Sequence, residues 1–130
     1  MNSKEYQIIT WEEWIVACKK LSTQLPKKSS ICFIPRGGLF VAGTLLYINP
    51  LLRLWVNNPL LAPSPAVIVD DVCCSGKTAQ NIRTFCKAGK DLFFGAVFYR
   101  KSSIEIPDYF GEEIDHEKYL LFPWESGWRN

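Results

Sequence analysis

Asp70 and Asp71 stand side by side at the end of an apolar run, and Ser75-Gly76-Lys77-Thr78 follows them. Adjacent carboxylates can accept hydrogen bonds from sugar hydroxyls or hold a hard cation such as magnesium. Small and hydroxylated residues ahead of a helix aim N–H and O–H donors at one spot, and such a spot suits a phosphate. A strand running into an ordinary capped helix does not need two acids before the turn. A second group, Pro35-Arg36-Gly37-Gly38, ends another apolar run. Its paired glycines let a ligand approach the main chain, and Arg36 is a planar, permanently charged donor for phosphate. Taken alone, this group reads equally well as a plain strand-to-helix turn. Beside the acid pair it gains meaning, because both loops then lie at one edge of a parallel sheet. Arg100-Lys101 end a third apolar run. They are either cations at the same edge or a solvated basic turn.

Ser75-Gly76-Lys77-Thr78 also ends like the triphosphate loop G-x-x-x-x-G-K-[ST]. The first glycine of that pattern would fall at Asp71. A carboxylate there would face the phosphates that the loop must cradle, so this is the weaker reading.

The flanking segments supply the elements. Ala66-Val67-Ile68-Val69 is apolar and β-branched, as a buried strand is. Ile31-Cys32-Phe33-Ile34 lacks polar alternation and reads as a central strand; Leu92 to Tyr99 reads as a third strand. Thr10 and Glu13 fit a capping box, and Trp14, Ile15, Cys18, Leu21 and Leu25 recur behind them at helical spacing. That helix is expected to cover one face of the sheet. Leu39 to Ile48 reads as an apolar helix stopped by Asn49-Pro50. Thr78 to Ala88 reads as a helix with Ile82 and Phe85 inward and Gly89 at its C-terminal cap. Leu51 to Val56 is either an edge strand or an extended loop with an exposed apolar face. Pro107 to Ile114 is a short strand or turn. His116 sits among Asp115, Glu117 and Lys118 and reads as a surface residue.

At 130 residues the chain is long enough for one domain, residues 1–130, with one core. A hydrophobic share of 48% predicts that this core is packed. A net charge of +2 argues against a polybasic surface for nucleic acid or membrane. Met1-Asn2-Ser3-Lys4-Glu5 lacks the apolar centre of a signal peptide, and the longest apolar runs are too short to span a bilayer. The 5 cysteines show neither C-x-x-C nor zinc spacing. A reducing, cytoplasmic location is therefore expected, with thiols acting as small buried hydrophobes.

Val67 to Thr78 resembles the PRPP-binding signature of the type I phosphoribosyltransferases. In that signature an apolar strand ends in two acids, and a short loop closes in Thr/Ser-Gly-x-Thr. The resemblance implies an α/β fold, a mainly parallel sheet flanked by helices. It implies that Asp70 and Asp71 meet the ribose hydroxyls and bound Mg2+. It also implies that Ser75, Gly76, Lys77 and Thr78 hold the 5′-phosphate, with Lys77 where glycine is common. Pro35-Arg36-Gly37-Gly38 resembles the family's pyrophosphate loop, where a non-proline cis peptide is frequent. By composition alone, Tyr119-Leu120-Leu121-Phe122-Pro123-Trp124-Glu125 reads as core packing. It is nevertheless similar to the end of the xanthine-guanine branch, whose start is similar to Ile8 to Trp11. The resemblance thus covers nearly the whole chain. It implies that Tyr119 stacks on a purine and that the Leu120 carbonyl meets the 2-substituent. Arg100 takes the place of a lysine that reaches the 6-oxo group, with Lys101 one step away.

Two departures stand out. The branch has an acid near N7 of the base, one residue before Thr-Gly, and this chain has Cys74 there. The family also carries a long mobile lid between its second and third strands. Here only the stretch Leu46 to Pro65 is available, so lid and hood are expected to be reduced. The expected activity is transfer of phosphoribose from PRPP to a 6-oxopurine, with Asp70, Asp71, Arg36 and Cys74 as the catalytic set. The alternative is a catalytically weak or inactive binder of PRPP or purine nucleotide. The expected partners are those small molecules, without nucleic acid or membrane. The apolar segment Leu51 to Val56 also makes a homodimer or higher homo-oligomer an expectation.

Overall fold

A computed structural model of the protein describes residues 5–87 and 91–126. The element order is β1 (Tyr6–Ile8), α1 (Trp11–Gln24), β2 (Ser30–Phe33), α2 (Gly37–Ile48), β3 (Arg53–Leu54), β4 (Ala66–Cys73), α3 (Lys77–Lys87), β5 (Leu92–Arg100), β6 (Tyr109–Ile114), β7 (Tyr119–Leu121) and α4 (Pro123–Ser126). A 3-10 turn, Pro59–Leu61, lies between β3 and β4. Five strands form one parallel sheet in the order β3-β2-β4-β5-β6, and β1 pairs with β7 in a small parallel sheet of its own. This is the expected α/β architecture. Among the described residues no helix is long and apolar enough to cross a membrane.

The strand order places the ligand edge. From β2 the chain turns outward through α2 to β3, and from β4 it turns the other way through α3 to β5. The carboxyl ends of β2 and β4 therefore flank a topological switch point, where a crevice must open. β2 pairs with β4 over Ser30 to Phe33 against Ala66 to Val69 and then stops. β4 runs on beside β5 as far as Cys73. Asp70 and Asp71 are thus strand residues that project past the end of β2. The acid pair was expected at the strand's end. The strand instead continues through it, because Asp70, Val72 and Cys73 still have partners on β5.

Both faces of the sheet are covered. The Thr10–Glu13 capping box forms as expected, each side chain bonding the other residue's N–H at 3.1 Å. It starts α1, which buries Trp14, Ala17, Cys18 and Leu21. These side chains pack with Val41, Leu45, Val67 and Val69 in one apolar cluster on the α1 and α2 side. Removing a buried side chain the size of Trp14 costs about 3–5 kcal/mol. Ala79 and Ile82 of α3 pack with Cys32, Ile68 and Phe94 on the opposite face. Gly111 of β6 shows how tightly α1 lies against the sheet, since a Cβ there would meet the Ala17 carbonyl oxygen. The expected cap at Gly89 lies outside the described residues, as does the Phe85 side chain.

Leu51 to Val56 resolves into β3, a two-residue edge strand parallel to β2. Leu51, Leu54, Val56 and Leu61 remain exposed around it, with Tyr47 of α2 at 92% exposure nearby. The connection from α2 to β4 is occupied by this strand and the 3-10 turn.

Candidate functional site

Asp70 and Asp71 are successive residues of β4 whose carboxyls are close enough to share a hydrogen bond, and each also borders a different loop. Asp70 lines a cavity of about 210 Å3 with Cys73, Cys74, Ser75, Gly76 and Thr78. This cavity is the space between the strand end and the first turn of α3. Gly76 has φ +86°, and a Cβ on it would lie 2.6 Å from the Glu105 nitrogen. Glycine is therefore required for the tight turn. The loop ends on the N-terminus of α3, where N–H groups without intrahelical partners favour an anion. Asp71 lies against the other loop: a Cβ at Gly37 would collide with its carboxylate. Gly37 thus lets α2 close over the acid, and the Pro35–Arg36 peptide ahead of it is cis.

The acids are electrostatically costly as they stand. Burial, and then the neighbouring Asp71 charge, raise Asp70 from 3.8 to about 7. Burial also raises Asp71, and the Glu125 charge adds to this, against hydrogen bonds involving Asp70 and the Val72 N–H that lower it. Partly buried carboxylates with raised values are relieved by an opposite charge, which a hard cation would supply, or by hydrogen bonds, which sugar hydroxyls would donate. An acid with a raised folded-state value makes the fold lose stability as pH climbs from its unfolded value to its folded one. The ligand-free protein is therefore expected to melt at lower temperature as pH rises from 3.8 towards about 7, and to level off above that. The whole change is on the order of a few kcal/mol. Asp70→Asn should flatten this profile in calorimetric scans; an unaltered slope would place the titration elsewhere.

Several expected site residues are brought together, and others are not. Asp70, Cys74, Ser75, Gly76 and Thr78 line one cavity at the end of β4, and Gly37 meets Asp71 beside it; Arg36 and Lys77 adjoin these residues in sequence. The Gly38 amide, expected as a ligand donor, is already used: it donates to the Ile34 carbonyl at 2.8 Å. The place of Gly38 is steric, since a Cβ on it would sit 2.6 Å from the Val69 carbonyl oxygen. Arg100 differs most from expectation. It is the last residue of β5 and only 6% exposed. Its two terminal nitrogens donate to the His116 and Lys118 carbonyls, each at 2.6 Å. It braces the segment that leads into Tyr119. Lys101 is exposed and lies 3.8 Å from Glu113. Tyr119 is 40% exposed at the start of β7, and Leu120 is buried. His116 fits its surface reading in part: Lys118 N–H donates to its Nδ1, and its Nε2 lies 2.6 Å from Gln7 Oε1.

One neighbour of the Cys74–Gly76 loop had no signal in the sequence. Residues 101–108 fold back over the loop. Ile104 N–H donates to the Ser75 carbonyl at 3.0 Å, and Ser103 Oγ lies 2.7 Å from the Cys74 carbonyl oxygen. Arg83 of α3 fastens this segment, bonding Glu105, Asp108 and the Ile106 carbonyl. Asp108 in turn accepts the Phe94 N–H at 2.8 Å. These contacts link α3 to a segment beyond β5, and no local spacing encodes them.

A larger cavity, about 540 Å3, opens between α1, β1 and β6. Glu12, Glu13, Glu112, Glu113 and Asp115 wall it. Five carboxylates repel a phosphate, so this larger cavity is unsuited to an anionic ligand.

No family model matches the sequence. Solved structures do match its shape. A purine phosphoribosyltransferase from Pyrococcus horikoshii aligns with 24% identity over 94% of this chain and 95% of its own, at a TM-score of 0.72. The xanthine-guanine-hypoxanthine phosphoribosyltransferase of Helicobacter pylori aligns with 15% identity over 94% and 95%, at 0.75. A protein of Neisseria gonorrhoeae with bound ppGpp aligns with 14% identity over 97% and 92%, at 0.69. The likeness is one of fold and extends along the full length of the described chain.

Proposed function

We propose that this chain, whose fold is that of the type I phosphoribosyltransferases, transfers phosphoribose from PRPP to N9 of a 6-oxopurine and releases pyrophosphate. The observation that carries this reading is the division of the acid pair at the switch point. Asp70 opens onto the loop at the start of α3, and Asp71 lies under Gly37 at the start of α2. A ribose lying across β4 would present its 5′-phosphate to Ser75, Gly76, Lys77 and Thr78. Its pyrophosphate would then face Arg36 and Gly37. The ribose hydroxyls would meet both acids.

The donor set fits magnesium. Among the described residues no three metal-binding side chains converge. Magnesium is commonly held by one or two carboxylates, the rest of its shell coming from water and substrate phosphates. Asp70 and Asp71 are the residues that would hold it, and when bound it supplies charge to the departing pyrophosphate. Arg36 adds a fixed positive charge on the same side. Tyr119 offers its ring to the purine face, and the Leu120 carbonyl offers an acceptor at the ring edge. Incubation with PRPP, magnesium and each purine base in turn should yield pyrophosphate and one nucleotide. No product and no PRPP binding would reject the reading.

Tyr119→Ala is expected to weaken purine nucleotide binding by about 1–3 kcal/mol, the scale of one aromatic–base stack. Ribose 5-phosphate affinity should stay the same. Unchanged GMP affinity would reduce Tyr119 to a packing residue.

A second reading is favoured by Cys74 and by the short α2–β4 connection. Both features remove parts that help turnover while leaving the ribose and phosphate contacts in place. A non-catalytic nucleotide or PRPP binder would keep these loops, and the Neisseria protein of similar fold carries ppGpp. Tight PRPP binding with no product from any base would select this reading.

A further inference from the structure

Glu125 holds the far end of the Tyr119 side chain. The Tyr119 hydroxyl donates to Glu125 Oε2 at 2.8 Å, and the Phe122 N–H approaches Oε1 at 3.4 Å. The backbone that carries Glu125 is itself held. Its neighbour Trp124 is stacked on Phe122 with ring centres 4.9 Å apart and planes at 5°. Trp124 also stacks on Phe40 of α2 at 4.1 Å and 4°, and meets Trp14 edge-on at 4.7 Å. This aromatic stack docks α4 onto the first turns of α2, the helix that opens with Gly37. Glu125 is also near enough to Asp71 for its charge to raise that carboxyl.

We propose that Glu125 is a positioning residue for base binding: it fixes the Tyr119 ring through its hydroxyl. This rests on the phosphoribosyltransferase reading above and assigns a part that the reading leaves open. The ring is 40% exposed, and its far end carries the hydroxyl bonded to Glu125. A charge-assisted hydrogen bond from its far end restricts it before the base arrives. Pre-set contact surfaces bind more tightly because less freedom is lost on association.

The test measures GMP and ribose 5-phosphate binding by titration calorimetry, with magnesium, in the parent and three variants. Glu125→Ala and Tyr119→Phe should each weaken GMP about 5- to 20-fold, the scale of a charge-assisted hydrogen bond. Ribose 5-phosphate affinity should remain within about 2-fold. The double variant should be no weaker than either single one, since both remove the same bond. Glu125→Gln keeps an acceptor oxygen for the tyrosine and should restore most of the GMP affinity. Matching melting temperatures show that the variants fold. GMP affinity unchanged in Glu125→Ala, or additive losses in the double variant, would overturn the role of Glu125 and leave the enzyme reading standing. A parent that binds neither ligand would overturn both.

Discussion

Asp70→Asn combined with Asp71→Asn should abolish magnesium-dependent binding of PRPP, a loss of at least about 100-fold, while the fold persists. Each acid reaches a different part of the crevice, so the pair acts as the hinge of the whole ligand. Asparagine has the same shape and cannot neutralise a cation, so packing at Gly37 and in the phosphate-loop cavity is retained. Truncating one partner of a desolvated charge contact typically costs 2–5 kcal/mol, and here two are removed. The same substitution should raise stability near pH 8. Burial holds Asp70 at about 7 and pushes Asp71 up as well, and an amide carries no such penalty. Calorimetric titration alongside thermal melting separates the two effects. Undiminished PRPP affinity in the double variant would remove the acids from the site.

Cys74→Asp is the second large effect, and it falls on turnover. Cys74 is exposed in the loop between Cys73 and the start of α3. A carboxylate beside the reacting purine can accept its proton, and help of this kind typically contributes 10²–10⁴-fold. A thiol sulfur is a weak hydrogen-bond acceptor compared with a carboxylate. The α2–β4 connection is occupied by β3 and a 3-10 turn, and a closing lid that would exclude water is not built from it. The parent should therefore bind PRPP at micromolar strength and turn over slowly. Cys74→Asp should raise the rate about 10²–10⁴-fold with PRPP affinity nearly unchanged. Single-turnover measurements with a 6-oxopurine would show it. A parent as fast as a lidded enzyme under the same conditions would mean that another group supplies the missing chemistry.

Local sequence was enough wherever one segment carried its own reason. The capping box at Thr10 and Glu13, the period of Trp14, Cys18 and Leu21, and the apolar run ahead of Asp70 each depend on neighbours a few residues away. Such features identify elements, and elements in the order found here imply a parallel sheet. The two glycine-bearing loops were legible for the same reason, since a tight turn demands glycine at the turn itself. The partners of Arg100 were not legible, because sequence shows a cation and not what it bonds. Its guanidinium is held by the carbonyls of His116 and Lys118, sixteen and eighteen residues onward.

By itself, the sequence determined that Asp70, Asp71 and the Ser75–Thr78 turn would meet at the carboxyl edge of a sheet. That follows from strand, turn and helix being contiguous in the chain. Only the tertiary structure decided which loop each acid borders, because that depends on β2 stopping at Phe33 while β4 runs on to Cys73. It also decided that Arg83 would fasten residues 105–108 beside the Ser75–Thr78 turn, and that Trp124 would stack on Phe40. These contacts join segments far apart in sequence, and packing of the sheet and its helices brings them within reach. Side-chain chemistry is written along the chain, whereas the company each side chain keeps is set by how the chain folds back on itself.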